Sequence, residues 1–67
     1  MKIEFTTDEL NYLIDKCQFN EINGELEVLK MKNVGNSIVE ISLKLNVSVE
    51  TINRRIKNIK KKIKKVL

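Results

Sequence analysis

Residues 35 to 59 read G-N-S-I-V-E-I-S-L-K-L-N-V-S-V-E-T-I-N-R-R-I-K-N-I, and their spacing predicts two helices joined by a tight turn. Ser37 and Glu40 form a capping box: the Ser hydroxyl satisfies the Glu amide, and the Glu side chain reaches back to the cap's own N–H. Behind them Ile38, Ile41 and Leu45 repeat at i, i+3, i+7, which puts one apolar stripe on a short helix. Asn46 follows, the residue after Gly most tolerant of positive φ, so the chain can turn sharply there. Val47 can then plug the core, and Ser48 can cap the next helix. From Val49 to about Val66 the stripe Ile52, Ile56, Ile59, Ile63 runs without a breaker, a helix of roughly 27 Å at about 1.5 Å per residue.

Upstream the same logic gives two more helices. Thr6-Thr7-Asp8-Glu9 is another capping box, opening a helix to about Cys17 with Leu10, Leu13, Ile14 and Cys17 on its apolar face. Met1, Ile3 and Phe5 alternate with polar residues, so the first five positions read as an extended arm or a frayed end. A second upstream helix has its body from Glu21 or Gly24 to Lys32, with Asn20 or Asn23 as N-cap and a stripe of Ile22, Leu26 and Leu29. Glu25 and Glu27 suit its positive N-terminal end, and Lys30 and Lys32 its negative C-terminal end. Asn33-Val34-Gly35-Asn36 ends it, with Gly35 or an Asn free to turn left-handed. The expected fold is all-α: about four helices in one domain over residues 1 to 67, an arm and extra helix at 1 to 18 and a tri-helical core at 20 to 66.

Composition narrows the class. A chain of 67 residues buries only about 60% of the surface its unfolded form exposes, so every periodic apolar residue is needed for the core. No apolar run approaches the roughly 20 residues of a membrane span, and Asp8 and Glu9 fall where a secretory leader needs apolar residues. The lone Cys17 cannot form an internal disulfide, and with no His there is neither zinc-finger spacing nor an imidazole base. Cys17 reads as a small buried hydrophobe of a protein in a reducing cytoplasm. No cofactor is expected.

Charge is unevenly distributed. Residues 1 to 50 carry five Lys against nine Asp or Glu, net minus four, whereas residues 51 to 67 carry six Lys and two Arg against no acid, net plus eight; together they give the chain's plus four. A segment of one sign raises affinity and encounter rate with a polyanion. On the last helix the isoleucines face inward while Glu50, Asn53, Arg54, Lys57, Lys61 and Lys64 face away.

A helix this size fits the major groove of double-stranded DNA. Arg54 there can pair with guanine, Asn53 with adenine, and Lys57 with a guanine edge or a phosphate. Ser48, Thr51, Arg55, Asn58 and Lys61 are candidates for the DNA backbone. The competing reading is a solvated face with Glu50 and Arg54 as an i,i+4 ion pair. Lys60, Lys61, Lys62, Lys64 and Lys65 surround most of the helix, so only four or five cations should touch phosphate, predicting a log–log salt slope of about minus four.

The stretch from about Glu25 to Ile63 resembles the helix-turn-helix output domain of LuxR-type transcription regulators, and resembles the fourth conserved region of bacterial sigma factors about as well. Both families show E-x-E-V-L in the first helix, matched by Glu25, Glu27, Val28 and Leu29. The pattern G-x-S-x-x-E-I-A-x-x-L-x-I-S-x-x-T-V follows, matched by Gly35, Ser37, Glu40, Ile41, Leu45, Val47, Ser48, Thr51 and Ile52. The LuxR-type match implies base contacts at Asn53, Arg54 and Lys57 and backbone contacts near Ser48, Thr51 and Arg55. The chain departs from the pattern at Ser42 for the usual Ala, Asn46 for the usual Gly, and Arg55 for the His common in LuxR-type domains. Arg55 with Ser48-Val49 before it is more similar to alternative sigma factors. Val39 and Leu43 stand where these families carry polar residues; they are expected to pack beneath the N-terminal helix, the competing reading being a dimer or RNA polymerase surface.

The expected function is therefore a sequence-specific DNA-binding transcription regulator. A homodimer is expected from need, because one short helix reads few base pairs. The first alternative is a sigma-like accessory that reads promoter DNA with RNA polymerase. The second is a basic amphipathic module for acidic proteins or anionic membranes, weakened because the last helix has no Trp or Phe. An enzyme is not expected, since the chain has no His, no Gly-rich phosphate loop and no metal-ligand spacing.

Overall fold

The computed structural model describes residues 2–22 and 24–67; Met1 and Asn23, one of the N-cap candidates, lie outside the described residues. Four helices follow one another: α1 (Thr7–Lys16), α2 (Glu25–Asn33), α3 (Ile38–Leu45) and α4 (Val49–Val66). Helix α4 packs against the other three, and α2 also packs against α3. Helices α2, α3 and α4 form the expected tri-helical core, with α1 added along α4. Ile52, Ile56, Ile59 and Ile63 are all buried, meeting Leu13, Val28, Leu29 and Ile41 from the other helices.

Both capping boxes form. Thr6 and Glu9 exchange bonds of 2.9 and 3.2 Å, and Ser37 and Glu40 exchange bonds of 2.9 and 3.1 Å, satisfying amides that a helix start leaves without partners. Asn46 takes the left-handed conformation, φ 54° and ψ 46°, and the Val47 amide closes the turn by donating to the Ser42 carbonyl at 3.0 Å. Ser48 then accepts the Thr51 amide at 3.1 Å and starts α4.

The start of α2 differs from expectation. Gly24 sits at φ 72°, a left-handed conformation that a continuing helix cannot contain, so α2 begins only at Glu25 and Ile22 is left 97% exposed outside it. The buried face of α2 is Glu25, Val28 and Leu29, not the stripe beginning at Ile22. Asn20 does help start this helix: its amide donates to Glu25 Oε1 at 2.9 Å, and its carbonyl accepts the Glu25 amide at 3.0 Å. Gly35 ends α2 as expected, at φ 100°.

Residues 2–6 form an extended arm. Ile3 is 5% exposed and part of the core, and the Asn33 carboxamide grips Phe5 twice, accepting its amide at 2.7 Å and donating to its carbonyl at 3.1 Å. Burial of Leu13 and Cys17 carries α1 along α4. The Cys17 thiol lies 3.6 Å from the Lys62 carbonyl, to which it donates. Consequently α1 does not cover α3, and the expectation that Val39 and Leu43 pack beneath it is corrected: they are 57% and 75% exposed. Among the described residues no helix is long and apolar enough to cross a membrane.

Candidate nucleic-acid interface

The face of α4 opposite the isoleucines begins at its capped N-terminus. Ser48 Oγ, while accepting the Thr51 amide, also lies 2.8 Å from Thr51 Oγ1, so the two hydroxyls are held together at the helix entrance. One turn on, Asn53, Arg54 and Lys57 are exposed and converge on one open groove of about 610 Å³, also lined by Lys32, Ile38, Ile56 and Lys60. The three candidate base-reading residues therefore share a surface, and Lys32 and Lys60 join them.

The candidate backbone residues are spread more widely. Thr51, Arg55 and Asn58 line a smaller hollow of about 170 Å³ with Arg54 and Glu25. Arg55 is half-buried and lies against the start of α2, where a Cβ on Gly24 would come within 3.2 Å of its Nη1. Gly24 thus serves both a positive φ and a close approach. Lys61 is exposed and borders neither hollow. Among the described residues the ion pairs are Lys2–Glu4, Lys16–Asp15 and Lys62–Glu25, so the Glu50–Arg54 pair of the solvated-face reading does not form.

Comparisons with family models, with curated proteins and with solved structures find no match.

Lys62 has left the cationic surface. Its ammonium lies 2.6 Å from Glu25 Oε1 and donates to the Gln18 carbonyl at 3.0 Å, tying α4 to α2 and to the segment after α1. Burial pushes the Glu25 carboxyl up, but the Asn20 amide, the Lys62 ammonium and the nearby Arg55 charge together bring it below its ordinary 4.5. The Cys17 thiol is pushed up by burial, against the opposing charge of Lys62.

Sequence reasoning missed the Glu25–Lys62 pair, because partners 37 residues apart leave no periodic trace. It also left Lys32 and Lys60 off the site. Lys60 was findable, since it follows Asn53 by seven and Lys57 by three, the spacing of one helix face. Lys32 carries no such signal; only the crossing of α2 and α4 places it.

Proposed function

We propose that this chain is a sequence-specific DNA-binding transcription regulator of the helix-turn-helix type, with α4 entering the major groove. The observation that carries the reading is the grouping of Asn53, Arg54 and Lys57 on one groove of a helix that a left-handed Asn46 turn sets off from α3. The positive charge of residues 51 to 67 that Glu25 does not take up through Lys62 supplies attraction to phosphate. Arg54 suits the paired acceptors of guanine, Asn53 the acceptor–donor edge of adenine, and Lys57 a guanine edge or phosphate. The Ser48 and Thr51 hydroxyls and the Lys61 ammonium suit phosphates at the rim. Residue-level likeness to LuxR-type domains and to the fourth sigma region supports the same reading. A reducing, cytoplasmic setting fits the single buried thiol.

A second reading, an accessory that meets promoter DNA together with RNA polymerase, is favoured by exposed Val39 and Leu43, an apolar pair on α3 that a protein partner would cover. Selection from a random duplex library at physiological salt, with and without polymerase, separates the two. An enriched inverted repeat with the protein alone indicates a dimeric regulator; enrichment only with polymerase indicates the accessory. Arg54→Ala is expected to weaken the selected site by about 1 to 3 kcal/mol and random duplex little, while Lys61→Ala weakens both modestly. Equal losses on both duplexes for Arg54→Ala would remove it from base reading.

A further inference from the structure

We infer that the groove between α4 and the α2–α3 junction seats one phosphodiester strand beside the bases read by Asn53 and Arg54, with Lys32 of α2 and Lys60 of α4 as its phosphate clamps. The inference rests on the reading of α4 as the DNA-facing helix and says on which flank a strand runs. The groove gathers four cations, Lys32, Arg54, Lys57 and Lys60, with no carboxylate among its lining residues. Its apolar lining, Ile38 and Ile56, suits the sugar faces between phosphates.

The opposite flank of α4 has the reverse character. There Arg55 shares one hollow with Glu21 and Glu27 and another with the buried Glu25. A phosphate bound to Arg55 would lie near those carboxylates and compete with them for its charge, a repulsive arrangement at short range. The geometry therefore assigns Arg55 to the start of α2, and the strand to the Lys32 side. Lys32 stands on α2 rather than α4: a helix-wide coating of charge would not need it, whereas a built groove does.

The test measures binding of a short mixed-sequence duplex by fluorescence anisotropy at rising potassium chloride. The proteins are wild type, Lys32→Ala, Lys60→Ala, Arg55→Gln and, as a control for lost charge, Lys16→Ala on α1, with circular dichroism confirming that each is folded. Lys32→Ala and Lys60→Ala should each reduce the magnitude of the log–log salt slope by about 0.9, the value of one released phosphate contact. Lys16→Ala and Arg55→Gln should leave it unchanged. If wild type binds but Lys32→Ala and Lys60→Ala keep its slope, the groove does not seat the strand and the DNA reading of α4 survives. An Arg55→Gln slope reduced as much as that of Lys32→Ala would place a strand on the acidic flank and overturn the assignment. Absence of duplex binding by wild type would overturn both.

Discussion

Glu25 is 4% exposed, and its charge is stabilised by Asn20 from the segment before α2 and by Lys62 and Arg55 from α4. Burial favours the neutral acid, but the Asn20 amide, the Lys62 ammonium at 2.6 Å and the Arg55 charge outweigh it. Because the folded state holds this carboxyl below its ordinary 4.5, its contribution to stability is complete above that value and is lost as pH falls through the lower, folded one. Thermal melts between neutral pH and about pH 3 should fall less steeply for Glu25→Gln than for wild type, with the variant less stable at neutral pH. Parallel acid limbs would show that Glu25 is not linked to folding. In the sequence Glu25 reads only as an acid suited to a helix start and Lys62 as one lysine of a tract, since neither residue's neighbours reveal the other.

At the level of elements, local chemistry was legible wherever it was complete within a few residues. Thr6 with Glu9, Ser37 with Glu40, and Asn46 before Ser48 each contain a whole start or turn signal, and each does in the structure what its residues prescribe. The start of helix α2 is not legible from Glu21 or Gly24 as its first residue, because the φ of 72° at Gly24 makes that residue the break. Asn33 was legible as a helix end but not as the residue that grips Phe5, 28 positions away, on both sides of its peptide. Asn33→Ala should free the arm: amide exchange at Phe5 should speed up, and stability should drop by about 1 kcal/mol from the loss of two part-buried bonds. Unchanged Phe5 protection would mean that Ile3 burial alone holds the arm.

On the scale of the molecule, periodicity says that a helix has an apolar face without saying what meets it. The isoleucines of α4 were assignable because they are its only long apolar stripe, and all are buried. Helix α3 offers two apolar faces, Ile38–Ile41–Leu45 and Val39–Leu43, and only the tertiary packing decides that the first is covered and the second is not. Leu43→Lys should therefore change the stability of the isolated protein by no more than about 0.5 kcal/mol, whereas Ile41→Ala should cost about 2 to 5 kcal/mol. A large loss for Leu43→Lys in urea titrations would mean that this surface is already occupied in solution, as in a homodimer. The same crossing of elements that exposes Leu43 brings Lys32 beside Lys57 and Lys60, which is why that part of the candidate site was invisible along the chain.

The helix that every other helix packs against is the last of the four to be made. Ribosomes add roughly 5 to 20 residues per second from the N-terminus, so α1, α2 and α3 emerge with their apolar faces bare and wait for residues 49–66 before a shared core can close. A shared core therefore forms only after α4 is complete, and until then the apolar residues of α1, α2 and α3 lack the stripe that buries them.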